Sequence, residues 1–443
     1  MPKNVIVRFV NISVQYLIEG KTAREILASV EAAVRSGDIA PGGRLPAVRP
    51  LAARLGVSPA TVAAAYGELR RRGMVTGSGR AGTRIRPAPP LSTRGYHRAP
   101  SGTRDLITGA PDPALLPLIP ARPVGRAGLY ADMPVAPRLQ RLAAIQLAAD
   151  GIDPSNLAVT GGALDAIERV LAAWLRPGDR IAVEDPGHAV TFDLLAAMDF
   201  SLVPVPVDEW GMRPDELARE LGRGLSAVVL TPRAQAATGA AWDAQRATDL
   251  ADLLHRNPQV GVIEDDHAGP VAGVAARTVS AQLSRWAHIR SVSKSLGPDL
   301  RLAIVAGDEA TIARVAGRQA LGTGWVSYQL QETVADLWSD RAPVEHAARV
   351  YAARRHALRD ALAAHGITAT GHSGLTSWIP VADEERIAAG LASAGWGVGP
   401  GRRFRIAAGP GVRVSFATLE PAEAVRFAAD LGRSLRERAT RVD

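Results

Sequence analysis

Lysine is rare in this chain. Of 52 basic residues, only Lys3, Lys21 and Lys294 are lysines, and the other 49 are arginines. A buried ammonium, unlike a guanidinium, can lose its proton and act as a nucleophile, and Schiff-base chemistry is the main use of that property. Lys294 lies in IRSVSKSLGPDLRL, just after a strand-like run, with Arg301 seven residues on to offer a fork to a phosphate. Three other stretches share this strand-then-turn form. LAVTGG places Thr160, Gly161 and Gly162 where a strand meets a helix, so free N–H groups and the helix dipole can hold a phosphate. VEDPGH brings His188 to a strand end, and VIEDDH ends in carboxylates followed by His267. A Gly-Gly turn or a strand-end acid is by itself ordinary. Contiguous EDDH residues splay apart along a strand, so no metal site is expected. Together the pieces supply an amine nucleophile, a phosphate cradle and a carboxylate, which are the needs of pyridoxal phosphate.

The elements that must position these residues alternate along the chain. Strand candidates are 157–160, 180–185, 201–207, 226–232, 260–266, 289–293 and 302–307, with helices such as ALDAIERVLAAWL and WDAQRATDLADLLHRN between them. Near-continuous Val/Ile/Leu strands separated by helices predict a mostly parallel α/β sheet, whose functional residues gather at the strands' carboxyl ends. Beyond about residue 330 the pattern shifts to a long Arg/Ala-rich helix and shorter pieces, predicting a smaller C-terminal α+β subdomain.

The N-terminal segment differs. TAREILASVEAAVRSG reads as a helix capped by Thr22, Val48 to Leu55 as a short helix ended by Gly56, and SPATVAAAYGELRRRG as a third, capped by Ser58. MVTGSGRAGTRIRP follows as a Gly-rich basic hairpin. Helix, Gly turn, helix and hairpin outline a winged helix-turn-helix, its third helix for the major groove and its wing (Arg80, Thr83, Arg84) for the backbone or minor groove. Charge agrees: residues 1–104 hold 17 Lys+Arg against 5 Asp+Glu, and the rest 35 against 39. A polyanion partner is therefore expected for the first segment alone. The chain has no cysteine, which excludes disulfides and thiolate chemistry. It shows no signal-peptide pattern and no membrane-length apolar run, so a cytoplasmic protein is expected. The domains are read as 1–86, a linker at 87–105, a large domain at 106–330 and a small one at 331–443.

Nearly the whole chain from residue 21 resembles the MocR-type regulators of the GntR superfamily, a winged helix joined to a fold-type I aminotransferase-like domain. GDIAPGGRLPAVRPLAARLGVSPATVAAAYGELRRRGMV carries the first half, and ITGAPD, LAVTGG, RPGDRIAVEDPG, VPVPVDEWGM, IEDD and SVSKSLGPDLRLA carry the second in order. The resemblance implies that Lys294 holds pyridoxal phosphate as an aldimine and that Asp265 pairs with the pyridine nitrogen. It implies that Ser291, Arg301 and the Gly161–Gly162–Ala163 turn hold the phosphate, with Tyr130 reaching across a homodimer interface. Arg413 would clamp an effector carboxylate, and Arg49, Ser58 and Thr61 would meet DNA with the wing. Departures are His188 and His267 at customary aromatic positions of the cofactor pocket, and AQAATG, with Ala234 and Ala237, for HQxPTG. The expected function is a regulator that binds promoter DNA and senses a small amino compound through the cofactor, without significant turnover. A working aminotransferase, or a regulator whose pocket takes another ligand or none, are the alternatives.

Overall fold

The computed structural model describes residues 18–35, 38–40, 42–71, 74–76, 82–86, 99–119, 129, 134–280 and 283–436. The chain divides into two compact units, one built on the segment up to Ser92.

In the N-terminal unit, helix α1 (Ala23–Arg35) is followed by α2 (Val48–Leu55), α3 (Pro59–Arg71) and a hairpin of β1 (Val75–Thr76) and β2 (Arg84–Ile85), paired Val75↔Ile85. Local chemistry sets the helix limits. The Glu25 N–H donates to Thr22 Oγ1 (3.2 Å) and the Thr22 N–H to Glu25 Oε2 (3.3 Å), a reciprocal N-terminal cap. Helix α2 stops at Gly56, in the left-handed region at φ 64°. There Lys21 Nζ donates to the Leu55 carbonyl at 2.6 Å, so one of the three lysines is spent on a helix C-terminus. The Thr61 N–H donates to Ser58 Oγ (3.1 Å) to open α3. Ile26, Val30, Leu51, Val62 and Leu69 fill the core, with Val75 and Ile85 of the wing packed onto it.

The second unit opens with β3 (Arg104–Leu106) and α4 (Pro137–Ala149). Then follow β4 (Leu157–Thr160), α5 (Ala163–Trp174), β5 (Arg180–Asp185), α6 (Ala189–Ala197), β6 (Ser201–Asp208), β7 (Gly211–Met212), α7 (Pro214–Leu221) and β8 (Ala227–Leu230). After α8 (Ala244–His255) come β9 (Gly261–Asp266), β10 (Trp286–Ser291), β11 (Ala303–Gly307), α9 (Glu309–Ala320), α10 (Tyr328–Ser339) and α11 (Ala342–Ala363). The chain ends in β12 (Thr376–Pro380), α12 (Glu384–Ser393), β13 (Trp396–Pro400), β14 (Gly411–Ser415) and α13 (Pro421–Arg436).

Eight strands form the large sheet in the order β4-β11-β10-β9-β8-β5-β6-β7. Its centre (β10, β9, β8, β5) is parallel, whereas β11 runs antiparallel to both neighbours. A small sheet, β12-β14-β13-β3, packs with α12 and α13 on its own apolar cluster. Helix α11 serves both cores, giving Tyr351 to the large one and Leu358 and Leu362 to the small one. Arg104 and Asp105, in the stretch read as linker, lie in β3, which pairs parallel to β13. Three residues with one buried side chain carry no readable alternation. Strand β10 likewise starts at Trp286 rather than at 289, because polar His288 and Arg290 interrupt the apolar run. Among the described residues no helix is long and apolar enough to cross a membrane.

Candidate functional site

Strand β9 carries the sharpest contrast in the molecule. Side chains alternate along a strand, so Asp265 points to one face of the sheet while Glu264 and Asp266 point to the other. Asp265 is 6% exposed, and its Oδ1 has no hydrogen-bond partner. Burial pushes its carboxyl up to about 7, with Asp266 adding to the rise and His288 opposing it. Beside it His267 Nδ1 lies 3.9 Å from Asp265 Oδ2. The His267 ring is parallel to that of His188 within 8°, centroids 6.4 Å apart. The two imidazoles thus lie parallel on the Asp265 side of the sheet, faces available to a planar ring. His188 leads into α6 and its Nδ1 meets Thr191 Oγ1 at 2.8 Å. Burial, then neighbouring positive charge, hold both rings neutral: His188 falls to about 3 and His267 to about 4.

Lys294 sits in the turn after β10. Its Nζ donates to the Gly109 carbonyl at 2.6 Å. Burial first, and the like charge of Arg413 second, bring the ammonium down to about 8. Part of the population is thus a free amine near neutral pH, as a nucleophile requires.

The phosphate-type donors meet where β10 and β4 end and β11 begins, with Ser291↔Ala303 and Ala303↔Thr160 as paired positions. Arg301 takes the left-handed region at φ 40° and its Nη2 donates to the Gly161 carbonyl at 3.0 Å. Gly162 sits at φ 110°, a conformation that favours glycine, with that nitrogen 2.6 Å from where a Cβ would stand. Ser291 is buried, and its hydroxyl accepts from the Ser293 N–H at 3.2 Å. The Gly161 N–H, expected to be free, donates instead to Asp165 in the first turn of α5 (2.8 Å), and Asp165 is itself held by Arg169. The exposed Arg301 and the amides of Gly162 and Ala163 at the start of α5 remain as donors. Tyr130 lies outside the described residues.

Arg413, on β14, is buried and faces the same region. Its Nε donates to the Ala236 carbonyl (2.7 Å) and Nη1 to the Ile107 carbonyl (2.6 Å), while its guanidinium rests 4.8 Å from the Phe404 ring centre. Burial lowers it to about 10. Gly109, at φ 58°, presents no Cβ where one would lie 2.4 Å from Arg413 Nη2. Sequence reading named this segment, ITGAPD, only as part of the resemblance and gave Ile107 and Gly109 no role: they act through backbone carbonyls, which leave no side-chain signature. It also missed Asp185, whose carboxylate accepts from the N–H groups of Ile406, Ala407 and Ala408 (2.7–2.8 Å) and so fixes the loop beside Phe404.

On the other face of β9 every acid is answered. Asp266 accepts from Arg233 through both oxygens (2.8 and 2.9 Å) and from Arg290 Nε (2.9 Å), and Arg290 reaches Asp150 at 2.7 Å. Glu264 accepts from Thr278 and the Val279 N–H and contacts His288 Nδ1 at 2.7 Å. Burial works against the charge on Asp266, but the two arginines outweigh it and hold that carboxyl well below the usual range. Burial also opposes the charge on His288, and its acidic neighbours Asp266 and Glu264 raise it nonetheless. Among the described residues no cluster of His, Cys, Asp or Glu could hold a metal.

In the N-terminal unit Arg49 is exposed on α2, and Ser58 and Thr61 open α3 with their hydroxyls 2.9 Å apart. Thr83 gives its carbonyl to the Leu45 N–H (2.8 Å), and Arg84 donates to the Gly42 carbonyl (3.1 Å), so Arg84 is partly engaged within its own domain. Arg80 lies outside the described residues.

Residues 22–85 match the gntR family of bacterial regulatory proteins, and residues 124–431 match aminotransferase class I and II. The vitamin B6 salvage pathway transcriptional repressor PtsJ of Salmonella typhimurium is 41% identical over 430 residues, which is 95% of this chain and all of that protein. The chain is a MocR-type transcription regulator. The regulator is also 26% identical to TauR, an HTH-type transcriptional regulator of Rhodobacter capsulatus, over 94% of this chain and 97% of that one. Its larger unit shares the fold of LysN, the α-aminoadipate aminotransferase of Thermus thermophilus (TM-score 0.67, 20% identity, 77% of this chain and 94% of that one).

Proposed function

We propose that the regulator binds promoter DNA as a homodimer and that its aminotransferase-like domain senses vitamin B6 as pyridoxal phosphate. The observation that carries this reading is the buried, unpartnered Oδ1 of Asp265. An acid in that state lacks a partner, and a protonated pyridine nitrogen is one that would hold it ionised. The residues around it fit the rest of the group. His188 and His267 would flank the ring, Arg301, Ser291 and the start of α5 would take the phosphate, and Lys294 is the amine for the aldehyde. Pyridoxal phosphate, when bound, supplies an electrophilic aldehyde conjugated to an electron-withdrawing ring. The similar protein PtsJ is a repressor of the vitamin B6 salvage pathway, which supports a vitamin B6 compound as the ligand sensed by this chain.

The same residues suggest how binding reports to DNA. Lys294 and Arg413 each donate to one short stretch, at Gly109 and Ile107, which follows directly on the expected linker. Lys294 gives up the Gly109 carbonyl when its amine is engaged. An amino compound with a carboxylate would draw Arg413 from Ile107 as well, which is the second reading of the effector. Differential affinity for the two seatings of residues 107–109 is then the switch. Significant aminotransferase turnover is not expected, in keeping with the likeness to transcription regulators over nearly the whole chain.

The test is spectroscopic. The purified regulator mixed with pyridoxal phosphate should gain a visible absorption band, removed by borohydride, with the label on Lys294. Promoter affinity should change with that ligand. Lys294→Arg keeps the charge and should lose the band entirely. Saturating ligand without a band, or a label elsewhere, refutes the reading. DNA binding should also weaken steeply with salt.

A further inference from the structure

Helix α11 carries two neighbouring buried arginines with opposite fates. Arg354 is engaged at both terminal nitrogens, although its Nε has no partner: its Nη1 donates to Asp112 (2.8 Å) and to the Ala417 carbonyl, and its Nη2 pairs with Glu420. Arg355 is 4% exposed, yet neither its Nε nor its Nη1 has a partner. No hydrogen bond or ion pair to Arg355 exists among the described residues. A buried guanidinium in this state is costly, and the surrounding charge makes it worse: Arg359 stands nearby on the same helix, and burial with that like charge brings Arg355 down to about 10.

The group stands directly behind the wall of a cavity, of which it is not itself a lining residue. Arg355 Nη2 lies 4.0 Å from where a Cβ would stand on Gly273, a residue held at φ 74°. Gly273 lines a cavity of about 350 Å³, together with Ala348, which is two helical turns before Arg355. Arg233, Arg290 and Arg341 form other walls, opposed by Asp150 and Glu345. Asp266 and Asp150 already balance Arg233 and Arg290, and Glu345 lies 3.6 Å from Arg341. Arg355 is the cation left over.

We propose that this cavity, with the unpartnered Arg355 behind Gly273, is a second ligand site that takes a small oxyanion, the phosphate or carboxylate group of a metabolite. It is separate from the phosphate-type donors at Arg301: Arg290, on its wall, alternates with Ser291 along β10 and so points to the opposite face of the sheet, and it does not depend on pyridoxal phosphate binding.

Calorimetric titration of the full-length protein with inorganic phosphate, and separately with malonate, tests it and distinguishes the two sources of negative charge. Binding of one of them should weaken at least tenfold in Arg355→Met and persist in Arg301→Gln. Melting curves add a sign that a merely structural arginine would not give. In anion-poor buffer Arg355→Met should melt a few degrees higher than the native protein, since an uncompensated buried charge is gone, and phosphate or malonate should close the gap. Equal titrations in the native protein and Arg355→Met overturn the proposal. So does binding lost in Arg301→Gln alone, or a lower melting point for Arg355→Met in the absence of anion.

Discussion

The two faces of β9 use the same kind of residue for opposite ends. Glu264 and Asp266 are carboxylates in the interior, and each is closed off by fixed donors: Thr278, Val279 and His288 for one, Arg233 and Arg290 for the other. Asp265, between them, is equally buried and has an oxygen with no donor. Buried polar groups are nearly always satisfied within a protein, so an unanswered carboxylate oxygen beside His267 fits a place where something else binds. The satisfied face holds the sheet in register behind the site, while the unsatisfied face keeps a binding capacity in reserve.

The largest effect is expected on the satisfied face. Asp266→Ala leaves Arg233 and Arg290 buried without their shared acid, and loss of one partner of a buried ion pair costs about 3–5 kcal/mol. Urea unfolding should record that loss. A change under 1 kcal/mol, on the order of an exposed pair, would erase the distinction between the faces.

Asp265→Asn should move stability the other way. The folded pKa of Asp265 is raised to about 7, above the usual carboxylate range. Its contribution to stability is therefore complete below the unfolded pKa and is lost as pH rises through 7. Ligand-free Asp265→Asn should be more stable than the native protein at pH 8, by on the order of 2 kcal/mol. The difference should vanish near pH 4. Pyridoxal phosphate should bind it at least tenfold more weakly. Glu184, also raised to about 7 by burial, leaves some pH dependence in both proteins. A variant that loses stability at pH 8 would show that Asp265 is structural after all.

How much of this was legible in sequence follows the range of each interaction. The caps at Thr22 and Ser58 and the Gly56 stop are local, and each helix of the N-terminal unit falls where they place it. The order of Gly161–Gly162, Asp265, Lys294 and Arg301 was legible too, because strand ends collect such residues. What sequence hid depends on register and on long-range contact. Gly109 meets Lys294 across 185 positions through a carbonyl. Arg233, Asp266 and Arg290 come together only once β8, β9 and β10 are aligned. Arg355 looks like any other helix arginine until its lack of partners is seen.

The smallest effect sets one lysine against another. Lys21 and Lys294 both donate to a backbone carbonyl at 2.6 Å, so hydrogen bonding alone does not tell them apart. The difference lies in what surrounds the nitrogen. Lys21 ends α2, where a positive charge completes the last turn, and Lys21→Met should cost only about 0.5–1 kcal/mol in the melting of the N-terminal unit. Lys294 is desolvated beside Arg413, which lowers it to about 8 and favours the free amine. With pyridoxal phosphate and borohydride at pH 7, label should accumulate on Lys294 and be unchanged by Lys21→Met. Raising the pH toward 8 should speed its appearance as more of the amine is deprotonated. Comparable labelling of Lys21 would mean that the environment of Lys294, rather than its scarcity, had been misread.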